Sequence, residues 1–208
     1  MKVVNLHSPI SIPPSFYPPH TMNDYFLLIR HAPTAVDAAR PSASWGLTEA
    51  GEASCRLLAE QMAPLKPTAV FTSHEPKAQQ TGQAVAERLG IGWQTAVNLH
   101  EHDRSNVTYL SHDQFQANVT RLFTDPDALF FGRESGSQAR QRFTQAIQTI
   151  LAAHPHDTPA IVSHGTVITL FLSHYNPIDP IPFWQALPMP CLMVVEREGF
   201  RLKTASFL

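Results

Sequence analysis

The sequence predicts an α/β fold, a three-layer α/β/α sandwich whose mostly parallel sheet ends in an antiparallel C-terminal hairpin. Three observations predict it. Tyr25-Phe26-Leu27-Leu28-Ile29, Thr68-Ala69-Val70-Phe71-Thr72 and Ala160-Ile161-Val162-Ser163 are short apolar runs, the mark of strands buried on both faces. Helical patterns separate them, as in a sheet built from strand–helix–strand units. Cys191–Glu196 and Phe200–Thr204, joined by a turn at Glu198-Gly199, read as a closing hairpin.

The 208 residues suit one domain of ordinary size, 25–208, behind a proline-rich arm, 1–24. Pro9, Pro13, Pro14, Pro18 and Pro19 favour extended polyproline segments there. Phe16 and Tyr17 offer the arm a hold on the body or on a second copy, so a homodimer stays open. With a formal charge of −2 and no basic stripe, nucleic acid is not an expected partner. No apolar run approaches the roughly 18 residues that span a bilayer, so no membrane partner is expected. The first residues lack a secretory apolar core, and Cys55 and Cys191 make no disulfide framework. A cytoplasmic location is the expectation.

Taken in order, the first strand runs into Arg30 and His31 and stops at Ala32-Pro33, because proline has no N–H to give a neighbouring strand. A loop, Pro33–Gly46, carries Thr34, Asp37 and Arg40, the last read as a surface residue. Thr48 caps the next helix, Glu49 and Glu52 suit its positive end, and Ala53, Leu57, Leu58 and Met62 form its buried face. After the second strand come Ser73 and His74. Pro76 then fits the first turn of a helix with Lys77 beside it and Ala78, Val85 and Leu89 turned inward. Ile91–Gln94 suggests an edge strand, followed by His100-Glu101-His102-Asp103-Arg104. Asp113–Phe123 is a short amphipathic helix; a longer one, about Ser137 to Ala153, buries Phe143, Ile147, Ile150 and Leu151. His154-x-His156 follows in a polar loop and reads as solvated. The last helix is Val167–His174, and five prolines from Pro177 to Pro190 make a stiff loop with Phe183 and Trp184.

Three strands thus deliver polar or cationic groups at one end: Arg30 and His31, Ser73 and Lys77, His164-Gly165-Thr166. That edge is where open α/β sheets place ligands. A charged guanidinium fork beside a nitrogen nucleophile suits a phosphate ester, and the first amides of the helix after His164 suit an anion. A zinc alternative uses His100 and His102 with Glu101 or Asp103. No cofactor is called for.

Leu28-Ile29-Arg30-His31-Ala32-Pro33-Thr34 resembles the opening motif of the histidine phosphatase superfamily (the phosphoglycerate-mutase-like fold), Leu-x-Arg-His-Gly-x-Thr. Ser73-x-x-x-Lys77-Ala78-x-Gln80-Thr81 resembles its second motif, Leu99-His100-Glu101 the segment with its acidic proton donor, and Val162-Ser163-His164-Gly165 its second histidine motif. The four follow the family's order from Phe26 to about Ile168. Two positions depart from it. Ala32 stands where glycine is usual, a methyl group where backbone nears phosphate; Lys77 stands where arginine is usual, a charge without the planar fork.

The resemblance implies a metal-independent hydrolase, a phosphomonoesterase acting through a phosphohistidine. The substrate would be a small phosphorylated metabolite or a phosphorylated protein. It implies His31 as nucleophile, Glu101 as proton donor and His164 as second catalytic histidine. Arg30, Thr34, Lys77 and Gly165 would bind phosphate. The sugar-phosphate mutases of the family carry a longer insertion than the stretch from Glu101 to Ser135, which favours hydrolysis. The alternatives are a phosphoglycerate-mutase-type phosphotransferase and a non-catalytic phosphate-ligand binder.

Overall fold

The computed structural model describes residues 24–207; the proline-rich arm, with Phe16 and Tyr17, lies outside them. Its sheet is built from β1 (Tyr25–Arg30), β2 (Ala69–Thr72), β3 (Gly92–Thr95), β4 (Pro159–Ser163), β5 (Cys191–Glu196) and β6 (Leu202–Phe207). The spatial order is β3-β2-β4-β1-β5-β6. β1 to β4 run parallel, and β5 and β6 close the sheet antiparallel as the expected hairpin.

Alternate residues of the central strands feed two cores, which is why their sequences are apolar throughout. Leu27, Ile29, Val70 and Val162 meet α1 (Glu49–Met62) and α2 (Pro76–Leu89) on one face. Phe26, Leu28, Phe71 and Ile161 meet α4 (Gly136–Ala153) and α5 (Gly165–Tyr175) on the other. These are the three layers of the sandwich. α3 (His112–Thr124) and α6 (Pro180–Ala186) share a smaller apolar cluster beside them. Among the described residues, no helix is long and apolar enough to cross a membrane.

Local signals place these elements. Thr48 Oγ1 accepts from the Gly51 amide as the cap of α1, and Ser111 and Ser135 make capping boxes with Gln114 and Gln138. Pro76 opens α2, and Gly90, at φ +67°, ends it. Three expectations need correction. The buried stripe of α1 is Gly51, Cys55, Leu58, Ala59 and Met62, whereas Ala53 and Leu57 are exposed, because the small residues Gly51 and Ala59 let this helix sit close. The proline-rich stretch after α5 includes α6; Pro180 and Pro182 occupy its first turn, where amides have no intrahelical partner, and the Asp179 carboxylate accepts from the Ile181 amide. His154 is not simply solvated: its Nδ1 meets Asp157 at 2.8 Å and its ring lies edge-on to Phe71.

β4 lies between β1 and β2, so their carboxyl ends are side by side. Arg30 pairs with Ser163 and Thr72 with Val162. The next amides continue the ladder: His31 N–H donates to Ser163 O and Ser73 N–H to Val162 O, both at 3.0 Å. His31, Ser73 and His164 therefore leave the sheet along one rim.

Candidate active site

At that rim the His31 and His164 rings stand 5.1 Å apart between centroids. His31 is almost fully buried, and its Nδ1 lies 2.8 Å from the Ala32 carbonyl. A carbonyl only accepts, so Nδ1 carries the proton and Nε2 keeps its lone pair. Burial, then the neighbouring His164, holds the His31 pKa well below that of an ordinary histidine. Both effects favour the neutral imidazole that a nucleophile requires.

Ala32 does not obstruct this arrangement. It is fully buried in the core between sheet and helices, and its amide donates to Thr81 Oγ1 at 3.0 Å. Its methyl group thus packs in the core, not in a phosphate's place. Arg30 ends β1 and donates through Nη1 to the Leu187 carbonyl, while its buried Nε has no hydrogen-bond partner. Gly165 lies tight against this guanidinium; a Cβ there would come within 3.0 Å of Nε.

Lys77, 6 % exposed, donates through Nζ to the Ser42 carbonyl and to Glu75 Oε2, each at 2.6 Å. Glu75 also accepts the Glu101 amide at 2.9 Å, and its Oε1 lies 3.3 Å from His164 Nε2. That last contact is of ion-pair length without hydrogen-bond alignment, and both His164 ring nitrogens lack hydrogen-bond partners. Burial pushes His164 down to about 4, with Glu75 and Glu101 opposing. Burial would raise the Glu75 carboxyl, but His164 and Lys77 outweigh it and keep it below the usual range.

The Glu101 carboxylate makes contacts that the motif did not announce. Its Oε1 accepts from His102 N (2.9 Å) and Val167 N (3.0 Å), and its Oε2 from Thr166 N (3.1 Å). It is therefore the anion at the N-terminus of α5, occupying two of the amides expected to meet phosphate. Burial raises its pKa, but Arg104, His164 and these amides together hold it far below the usual carboxylate range. These contacts favour the carboxylate over the acid in the site without substrate. Thr34 is half-buried and bridged to Leu47; among the described residues its hydroxyl makes no hydrogen bond to the cluster.

Arg142, on α4, holds this loop in place. It donates to the Asn98, His100 and Glu101 carbonyls at 2.8 to 3.2 Å and to both Glu134 carboxylate oxygens. His102 Nε2 donates to the Glu134 carbonyl (2.7 Å) and its ring stacks on Phe131, while the His100 ring faces His74 at 5.3 Å. The two histidines of the zinc alternative thus turn to different neighbours. Among the described residues no group of three His, Cys, Asp or Glu side chains could hold a metal ion.

Glu75 escaped the sequence reading altogether. The one signal for it was a carboxylate two residues before Lys77, at the start of a helix that follows a strand end.

Residues 26–206 match the histidine phosphatase superfamily, branch 1. The chain belongs to this superfamily. Among curated relatives of this histidine phosphatase family member is a probable phosphoglycerate mutase, GpmB, of Cronobacter sakazakii. It is 26% identical over 154 residues, which cover 70% of this chain and 72% of that one. Similar solved structures include Bacillus stearothermophilus YhfR, at TM-score 0.71 and 21% identity over 88% of this chain and 95% of that one. A mycobacterial glucosyl-3-phosphoglycerate phosphatase superimposes at TM-score 0.69 and 18% identity over 86% and 96%.

The cap predicts a stability effect. Glu101→Gln leaves one acceptor oxygen for three amides and turns an NH2 toward one of them. The variant should be less stable by about 2 kcal/mol or more near pH 7, by denaturant titration. The folded-state pKa of Glu101 lies below the unfolded value, so this stability is present above about pH 4 and fades on further acidification. The gap between wild type and variant should narrow accordingly at pH 3. An equal gap at both pH values would mean that the charge is not what the amides bind.

Proposed function

We propose that this protein is a metal-independent phosphomonoesterase that forms a phosphohistidine at His31. The observation that carries the reading is the oriented His31 imidazole, favoured neutral, 5.1 Å from the His164 ring and within electrostatic reach of Lys77 and Arg30. In the first step Nε2 attacks phosphorus, the bond to the ester oxygen breaks, and its electron pair leaves with that oxygen. Arg30, Lys77 and His164 stabilise the charge on the equatorial oxygens. In the second step water attacks the phosphohistidine, releasing phosphate and restoring the imidazole.

The leaving-oxygen proton is assigned to Glu75 instead of Glu101. A phosphate that draws on Lys77 and His164 takes away the groups that keep Glu75 ionised and sets a negative charge beside it. Both changes raise its pKa, so it can accept a proton from an entering substrate monoanion and pass it to the leaving oxygen. The amides around Glu101 are backbone and do not move away with a ligand.

A mutase reading has one observation in its favour, the naming of the curated relatives as probable phosphoglycerate mutases. The naming of several structural neighbours as phosphatases points the other way. Free phosphate released from a panel of phosphorylated metabolites decides for hydrolysis; isomerised substrate without phosphate release decides for the mutase.

Lys77 offers a second check. Lys77→Ala should lose roughly 100- to 1000-fold in turnover, as loss of one transition-state donor does. Lys77→Arg restores the charge and should recover most of it. Unchanged kinetics in Lys77→Ala would remove Lys77 from the phosphate site.

A further inference from the structure

Next to the phosphate site, and bounded by Glu75 and Glu101, is a cavity of about 430 Å³. A volume of this size fits a ring-bearing organic molecule, and a three-carbon leaving group would leave much of it to water. Trp45, Tyr109, Phe115 and Phe131 are among its lining residues. The Trp45 indole is held in place: its Nε1–H donates to the Asp37 carbonyl at 2.9 Å and to the Arg40 carbonyl at 3.2 Å. The cavity therefore has a fixed aromatic surface.

One cation in this wall, charged beside Glu101, keeps a donor without a hydrogen-bond partner. The Arg104 guanidinium lies over the Phe115 ring at 4.8 Å and the Phe131 ring at 5.8 Å. Its Nη1 is buried without a hydrogen-bond partner. A buried guanidinium N–H is costly to leave unpaired, and a planar fork is best satisfied by a carboxylate or phosphate. Contact with two rings restrains the side chain before any ligand arrives, so less side-chain entropy is lost on pairing.

Resting on the phosphatase reading, we infer that this cavity holds the leaving group, and that the leaving group is a ring carrying a second anionic group paired by Arg104. The substrate class is then an aromatic or heterocyclic phosphate monoester with a carboxylate or second phosphate, and simple alkyl phosphates are poor substrates.

Two non-hydrolysable probes test this by calorimetry on the full chain: benzylphosphonate and 4-carboxybenzylphosphonate. The wild type should bind the carboxylated probe about tenfold tighter or more, the scale of one charge-assisted hydrogen bond. Arg104→Gln should bring the two within about twofold while leaving benzylphosphonate affinity unchanged, which also reports that the variant is folded. Arg104→Lys should keep part of the preference. Equal binding by the wild type, a preference that survives Arg104→Gln, or no binding of either probe overturns the inference. The phosphatase reading fails separately: both phosphonates bind, yet phenyl phosphate is not hydrolysed and His31 takes no label.

Discussion

His31→Ala is expected to abolish turnover and the covalent phosphoenzyme together. Loss of a nucleophile acting with its neighbours costs on the order of 10⁴- to 10⁶-fold. In wild type, quenching during turnover of a phosphorylated substrate should trap acid-labile, base-stable label on the protein. The His31 ring has the tautomer for this, since Nδ1–H is committed to the Ala32 carbonyl and Nε2 is left to attack. Alanine removes that atom and leaves the Arg30, Lys77 and His164 donors, so phosphate should still bind. A variant that keeps wild-type turnover, or still takes up label, would rule out the covalent route.

Glu75→Gln should separate substrates by the basicity of their leaving groups. An alkoxide leaves poorly without a proton, whereas p-nitrophenolate needs none. Hydrolysis of an alkyl phosphate such as β-glycerophosphate should fall by about 10²- to 10⁴-fold, the usual range for a lost general acid. Phosphoenzyme formation from p-nitrophenyl phosphate should fall much less. Glu101→Gln should show no such split, because its carboxylate holds α5 and not the leaving oxygen; both substrates should suffer alike as the helix end loosens. The opposite pattern, a split in Glu101→Gln alone, would return the acid role to Glu101.

The parts of the site legible in the sequence were those that a single strand end delivers. Arg30 and His31 stood out as charges closing an apolar run, and His164 and Lys77 did the same one strand and one helix turn away. The contacts that change the reading are made between distant segments. The Glu101 carboxylate meets amides 65 and 66 residues further on, and no local pattern announces that. Glu75 sits two residues from Lys77, where an acid and a base usually mean a solvated surface; only the fold buries both. Arg40 and His74 looked like loop residues and line the cavity, because the loop over α2 folds back across the rim. Leu57 misled in the other direction: its apolar side chain fitted the helical period, but Gly51 and Ala59 set which face of α1 approaches the sheet.

The staple made by Arg142 bears on how the site opens. Asn98 through Asp103 forms no strand or helix, and three of its carbonyls converge on one guanidinium, itself paired with Glu134 at the entrance to α4. Order in this segment therefore depends on a few polar contacts and on the single core side chain of Leu99, while the neighbouring strands are secured by two apolar cores. Amide hydrogen exchange should then divide the molecule: the loop amides exchange through a local opening far less costly than global unfolding, and those of β1 and β4 wait for the whole sheet to part.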